Sequence, residues 1–128
     1  MKLRIECCRE RLVLEEFLSP TNGGVVRFTG VVRGEENGGE ISGLEYEAYQ
    51  PMAERTMHQI LEALHAIQPI HSARVLHRLG FVPVGEAAII VEIQAAHRRE
   101  AFLAAEGFMD RLKQEVPIWK VRAVPLHL

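Results

Sequence analysis

Two lysines near the end of the chain, Lys113 and Lys120, are the residues whose type and spacing most suggest chemistry. They lie in the stretch MDRLKQEVPIWK (residues 109–120), which has the pattern of a helix end, a proline break and a short apolar strand. This geometry would bring the two lysines to the two sides of a turn. An ordered, partly desolvated lysine can bind an anion, or act as a base or nucleophile once its proton is loosened.

Further cations stand at the ends of predicted elements. Arg33 directly follows the apolar run GVVRFTGVV, and His97 and Arg98 stand where a strand passes into a long helix. Free backbone N–H groups and the positive dipole end at a helix start favour an anion, so cations there suggest a bound phosphate. Plain solvated side chains remain the alternative. Lys113, in a last helical turn, is favoured by the dipole without any function.

Composition excludes several classes of protein. The 128 residues suit one domain, and 48% hydrophobic and 25% charged residues are typical of a globular protein. A net charge of -2 does not support a general nucleic-acid surface. The sequence has no Walker loop, dinucleotide fingerprint, HExxH motif or nucleophile elbow. His58 and His65 share one helix edge without a third ligand, so we expect solvent-facing side chains and no metal.

The N-terminus and the cysteines favour a reduced, cytoplasmic protein. The first residues carry charges where a secretory signal would be apolar, and no apolar stretch approaches the roughly 20 residues of a membrane span. Cys7 and Cys8 are adjacent, which is neither a zinc spacing nor a disulfide framework. We expect one buried and one exposed thiol.

Hydrophobic periodicity predicts an α+β domain over residues 1–128, with helices packed on a largely antiparallel sheet. Strands are predicted at residues 2–7, 24–32, 41–49, 71–79, 86–95 and 118–124, and helices at 9–18, 52–67 and 98–115. The second strand should be well buried and paired as a hairpin with residues 41–49, and Gly30 within it suggests a bulge or a close approach of another backbone or a ligand. Residues 34–39 (GEENGG) should form a mobile loop, and residues 86–95 should lie centrally in the sheet.

Several segments together match one family. They are FTGVVRG, LEYEAYQPMAE, HRLGFVPVGE, AAHRREAF and MDRLKQEVPIWK, in that order. From about residue 24 to Lys120 the chain resembles the large, catalytic subunit of molybdopterin synthase, the MoaE type. The resemblance implies an α/β-hammerhead-type fold and a homodimer within a heterotetramer, with no cofactor or metal. Each copy would bind a small ubiquitin-like subunit ending in Gly-Gly, whose thiocarboxylate gives sulfur to cyclic pyranopterin monophosphate and so forms the dithiolene of molybdopterin.

The resemblance also implies residue roles. Lys113 takes the place of the family's catalytic lysine and Lys120 that of its companion in the pocket. Arg33 is expected to bind substrate, as are His97 and Arg98, contributed across the dimer.

The chain departs from the family pattern beyond Lys120. Val121 and Arg122 follow, without the usual glutamate, and Arg122 is a candidate to supply a missing cation. The chain ends at Leu128, where family members commonly continue. Two other interpretations stay open: a non-catalytic relative that binds a ubiquitin-like partner or a phosphorylated pterin, and an unrelated α+β module for a phosphorylated small molecule. Retention of both lysines favours the enzyme.

Overall fold

The computed structural model describes residues 1–126 and contains two sheets and two helices in that range. Residues 127–128, which the predicted domain includes, lie outside it. The strands are β1 (Lys2–Cys8), β2 (Gly24–Val31), β3 (Glu35–Glu36), β4 (Gly39–Ala48), β5 (Ser72–Arg78), β6 (Gly80–Pro83), β7 (Ala87–Ala95) and β8 (Ile118–Pro125). The helices are α1 (Gln50–Ile67) and α2 (Arg98–Glu115). The predicted α+β class is confirmed.

The first sheet has the strand order β1-β5-β7-β2 and carries both helices. β7 is an inner strand, as predicted, and nearly all its side chains are apolar and buried. Only the β1–β5 pairing is parallel in this sheet. Met57, Leu61 and Phe108 from the helices are buried with Val75 and Val91 from the sheet. Neither helix in the described part of the chain is long and apolar enough to span a membrane.

Both helices begin and end close to their predicted positions. α1 starts with Pro51 in its first turn, and it has the same length as α2, 18 residues. On α2 the side chain of Ala104 is buried, whereas the larger side chain of Phe102 is exposed. Ala101, Ala104, Ala105 and Phe108 form the i, i+3, i+4, i+7 stripe of a helix with 3.6 residues per turn, and Phe102 lies beside it.

The helix predicted over residues 9–18 does not form, and that prediction is wrong. The segment is irregular, and Leu12 and Leu14 pack against Leu76 and Ile90 in a separate apolar cluster. Two buried residues at a spacing of two suit an extended chain rather than a helix. The apolar residues that completed the helical pattern are exposed: Val13, Phe17 and Leu18.

Side chains of the sheet hold this segment in place. The carbonyl oxygen of Leu14 accepts from Arg27 at 2.8 Å, and that of Glu15 accepts from Arg74 at 2.8 Å. Gln94 donates to the carbonyl oxygen of Phe17 at 2.6 Å. These bonds satisfy backbone groups that a helix would otherwise pair within itself.

The expected hairpin between residues 24–32 and 41–49 is also wrong. β2 is an edge strand with three exposed large apolar residues, so it is less buried than predicted. β4 belongs to the second sheet, where it pairs with β3, β6 and β8. The GEENGG stretch forms β3 and a tight turn in which Asn37 and Gly38 have φ of 52° and 80°. Positive φ angles at both central residues are typical of a two-residue hairpin loop. β3 and this turn lie between β2 and β4 in the chain.

Candidate functional site

A cavity of about 380 Å³ opens where the C-terminal end of α2 meets both sheets. Lys113 and Lys120 both line it, so the structure brings the two predicted lysines together. Most of the other walls are apolar. The remaining lining residues are Phe28, Gly30, Val31, Tyr46, His77, Ala88, Ile89, Met109, Leu112, Ile118 and Trp119.

The turn after α2 returns the chain past the helix end. The N–H of Val116 donates to the carbonyl oxygen of Leu112 at 3.1 Å, which closes the helix. Pro117 follows, and its carbonyl oxygen accepts from the N–H of Tyr49 at 3.2 Å. β8 then runs antiparallel to β4 and carries Lys120 back to the cavity.

The two lysines differ in their partners. Both side chains are exposed at the cavity rim. Within residues 1–126 Lys113 has no carboxylate partner, whereas Lys120 Nζ donates to Glu36 Oε2 at 3.1 Å. Tyr46, the register partner of Lys120 on β4, is half-buried, and burial together with the nearby Glu36 charge raises its pKa. The rim therefore offers one available ammonium group and one that is already neutralised.

A close approach of β2 and β7 shapes the cavity floor. The register shifts between Gly30 and Val31, which confirms the predicted bulge. A Cβ built on Gly30 would lie 2.8 Å from Ile89 Cγ2. Only glycine leaves room for Ile89 at this point, and the missing side chain helps to keep the cavity open.

Sequence reasoning missed His77, which also lines the cavity. It is 5% exposed, its Nδ1 lies 2.8 Å from the carbonyl oxygen of Arg78, and its ring meets that of Tyr46 edge-on at 5.3 Å. Burial lowers its pKa, although the bond to the Arg78 carbonyl acts in the opposite direction. Its position on β5, in alternation with the buried Ala73 and Val75, was the available signal.

Arg33 and Arg122 lie outside this cavity. Arg33 borders an open depression with residues of the β3–β4 hairpin. Arg122 Nε lies 3.2 Å from Glu45 Oε1, so its charge is already paired. Neither residue lines the lysine cavity of this chain.

His97 and Arg98 stand at the opposite end of α2 from Lys113. Arg98 and Lys113 are fifteen positions apart on the helix, or roughly 22 Å along its axis. His97 is the helix N-cap and its side chain is 81% exposed. Its backbone N–H donates to Glu100 Oε2 at 3.2 Å, so a carboxylate already offsets the local positive charge. One chain alone cannot bring these residues to the lysine cavity.

A larger groove between β1 and α1 does not suit an anion. It measures about 550 Å³ and is lined by Glu54 and Glu62 together with Arg55 and His58. It contains neither lysine of the predicted site. No group of His, Cys, Asp and Glu side chains within residues 1–126 is arranged to hold a metal ion.

The remaining candidate residues have ordinary roles. His58 is exposed and lies 2.8 Å from Glu62, whereas His65 is half-buried and its Nδ1 accepts a backbone N–H at 3.0 Å. The prediction of a solvent-facing His65 is therefore wrong. Cys7 is buried, and burial raises the pKa of its thiol to about 12, while Cys8 is partly buried.

Comparisons with known proteins agree on one family. The sequence profile described as MoaE protein matches residues 5–115. The match starts earlier than the motifs suggested and ends before Lys120. The human molybdopterin synthase catalytic subunit is 40% identical over 115 residues, which cover 87% of this chain and 61% of the human protein. The chain thus spans less than two thirds of that relative's length.

An archaeal relative and a solved structure extend the likeness. The molybdopterin synthase catalytic subunit of Pyrococcus abyssi is 46% identical over 103 residues, 80% of this chain and 69% of the archaeal one. The crystal structure of molybdopterin synthase from Staphylococcus aureus superposes with a TM-score of 0.88 at 32% identity. That superposition covers 97% of this chain and 93% of the other.

Proposed function

This chain belongs to the MoaE protein family, and on that premise we propose that it is the catalytic subunit of a molybdopterin synthase. It takes sulfur from the C-terminal thiocarboxylate of a small ubiquitin-like protein and transfers it to cyclic pyranopterin monophosphate. Two transfers make the dithiolene of molybdopterin. The small protein and the phosphorylated pterin are its partners, and its cytoplasmic location stays a prediction.

The observation that carries this proposal is the lysine-rimmed cavity. Its mostly apolar walls suit a Gly-Gly tail, which has no polar side chains to accommodate, and its two lysines suit the anionic end of that tail. Cations in fixed positions beside an apolar surface also stabilise negative charge as it develops on oxygen or sulfur. The groove beside α1 has no lysine in its lining, and Glu54 and Glu62 would repel an anionic tail there.

The two lysines have different tasks in this proposal. Lys113, which has no carboxylate partner within residues 1–126, contacts the reacting carbonyl group directly. It transfers a proton or captures the carbonyl carbon covalently. Lys120 exchanges its contact with Glu36 for one with the incoming tail.

The pterin phosphate is bound by residues that this chain holds apart. We assign Arg33 to substrate binding, with Arg122 as an outer cation. His97 and Arg98 come from a second copy of the chain, because α2 keeps them roughly 22 Å from Lys113 of their own chain. A homodimer with one small subunit on each copy, a heterotetramer, satisfies this requirement.

Reconstitution tests the function. The chain, a thiocarboxylated small protein and the pterin precursor should form molybdopterin, and Lys113→Ala should slow its formation at least about 100-fold, as the loss of a proton-transfer group does. Lys2→Ala is the matched control, because Lys2 is the remaining lysine and lies exposed on β1. Formation at the wild-type rate by the Lys113→Ala variant would disprove the assignment.

A further inference from the structure

His77 is a buried titratable residue that the roles assigned to the lysines leave unused. It lies on β5, opposite Ile89 of β7 in the sheet register, and on the same face as the buried Ala73 and Val75. That face is the one covered by the helices. Unlike Ala73 and Val75, however, His77 borders the lysine cavity.

One hydrogen bond defines its tautomer. A carbonyl oxygen can only accept, so the 2.8 Å contact with the carbonyl of Arg78 requires the proton to be on Nδ1. Nε2 then carries a lone pair. Within residues 1–126 Nε2 has no hydrogen-bond partner, yet it is not among the polar atoms sealed off from solvent. Because His77 is only 5% exposed and lines the cavity, that lone pair is reached through the cavity.

A packing role alone does not explain an imidazole here. The edge-on contact with Tyr46 would be made equally well by phenylalanine. Phenylalanine would have no acceptor at this position, whereas Nε2 offers a lone pair to a ligand or a water in the cavity. Burial also keeps the ring neutral, because it lowers the pKa from an ordinary value of 6.5.

The proposed function contains a step that needs a base. When the thiocarboxylate sulfur bonds to a carbon of the substrate and an oxygen substituent leaves that carbon with its electron pair, the sulfur links the tail's acyl carbon to the substrate as a thioester. Release requires a water oxygen to bond to the acyl carbon while the C–S bond breaks and its electron pair stays on sulfur. One water proton must pass to a base, and the second leaves the new carboxyl group for solvent. The tail ends as a carboxylate and the sulfur remains on the substrate as a thiolate.

We propose that His77 is a catalytic residue of this cavity, whose Nε2 accepts the proton of the water that hydrolyses the thioester. The inference rests on the proposed function. Lys113 and Lys120, on the rim above, stabilise the oxyanion that forms on the acyl oxygen in the same step. Base and cations then act on opposite sides of one carbonyl group.

Two substitutions of His77 distinguish its role as a base from its hydrogen bond to the Arg78 carbonyl. His77→Asn keeps an N–H that can reach the Arg78 carbonyl and removes Nε2, and His77→Gln places an amide where Nε2 stood. In single-turnover reactions of the full chain with thiocarboxylated small protein and pterin precursor, both variants should accumulate the thioester, detected by intact mass and cleaved by hydroxylamine. Its hydrolysis should slow at least about 100-fold while affinity for the small protein changes little.

The control is Val75→Ala, a buried change on the same face of β5 outside the cavity, which should lower stability without accumulation of the thioester. Wild-type hydrolysis by His77→Asn would overturn the proposal, since the bond to Arg78 would then be the whole role of the residue. Failure of the wild-type chain to form molybdopterin would instead overturn the proposed function.

If neither variant folds, the wild-type pH profile decides. Thioester decay should slow as the pH falls through the imidazole pKa, which burial lowers from its ordinary 6.5, and a rate that stays flat down to the onset of acid unfolding would overturn the proposal. The other titratable groups near His77 or facing the cavity are Cys7, Glu36, Tyr46, Lys113 and Lys120. Glu36 is the one carboxylate among these groups, so the profile is repeated with Glu36→Gln.

Discussion

At the scale of single residues, the cavity rim holds two lysines in unequal electrostatic settings. Lys120 is bonded to Glu36 at 3.1 Å, and Lys113 has no such partner within residues 1–126. The sequence predicted the pair of lysines from a helix end and a proline break. It could not predict Glu36, because the contact joins residues far apart in the chain and depends on the small β3–β4 hairpin. His77 escaped notice for a related reason, since a histidine in a strand carries no motif.

The Glu36 contact leads to a prediction about anion binding. Glu36→Gln should tighten binding of the small protein in its ordinary Gly-Gly carboxylate form by about 2- to 5-fold at low salt, since an exposed ion pair contributes at most about 1 kcal/mol. The gain should disappear in high salt, where exposed charges are screened. Calorimetric titration at two salt concentrations measures both effects. Glu62→Gln on α1 removes the same charge far from the cavity, and an equal gain there would show a general charge effect only.

At the scale of elements, periodicity predicted both helices and the inner strand because these elements bury one regular face. Periodicity gave the wrong prediction for residues 9–18. Only Leu12 and Leu14 are buried there, and the exposed Val13, Phe17 and Leu18 complete a helical spacing by chance. The pairing of β4 was missed for a different reason. The partner of a strand is decided by long-range contacts, and β4 pairs with β8, which lies far along the chain.

A buried carboxylate explains why the irregular segment holds its place. Glu92 on β7 is 2% exposed and accepts from Arg27 at 2.7 Å and from Arg74 at 2.7 Å. The same two arginines donate to the carbonyl oxygens of Leu14 and Glu15. Burial acts to raise the pKa of Glu92, but the two guanidinium groups outweigh it and the pKa is lowered.

Removing that carboxylate should destabilise the fold. Glu92→Gln leaves two partly buried arginines without a counter-charge, and we expect a loss of about 3 kcal/mol in the free energy of unfolding at pH 7. Because the folded pKa of Glu92 is below the unfolded one, its contribution is fully present above the unfolded pKa and is lost as the pH falls through the folded pKa. The difference between variant and wild type should therefore shrink in acid. Urea unfolding at about pH 7 and at several pH values below the ordinary glutamate pKa of 4.5 measures it.

The matched control for Glu92 is an exposed ion pair on the same sheet. Glu6 lies 3.3 Å from Arg4, and both side chains are largely exposed. Glu6→Gln should change the free energy of unfolding by less than about 0.5 kcal/mol. If Glu92→Gln were equally mild, the two arginines would not depend on Glu92, and another contact would have to hold residues 9–18.

At the scale of the whole molecule, the candidate residues divide between the two ends of α2. The sequence places His97 and Arg98 at the start of this helix and Lys113 in its last turn, and the structure keeps that separation. A net charge of -2 gives no general attraction for anions, so binding must rely on local clusters of cations. Which ends of two α2 helices lie together in a dimer depends on the interface between the two copies of the chain. The separation therefore makes the assembly part of the site.

Mixing two inactive variants tests a site shared across a dimer. Lys113→Ala and Arg98→Ala chains should each be impaired alone. In a mixed dimer, one of the two sites would combine an intact Lys113 from one copy with an intact Arg98 from the other. Random exchange between equal amounts makes half of the dimers mixed, so about a quarter of the wild-type sites should be restored in the mixture and about half in purified mixed dimers.

The control mixture is Lys113→Ala with Lys120→Ala. Both lysines line the same cavity of one chain, so no mixed dimer of these two variants has an intact site. Mixed dimers are purified through two different affinity tags, and molybdopterin formation is compared for the two mixtures. Recovery only with the Arg98→Ala partner would assign the two ends of α2 to one site across the dimer. Equal activity in both mixtures, or a chain that stays monomeric at assay concentration, would instead require each copy to bind the pterin phosphate without the other's Arg98.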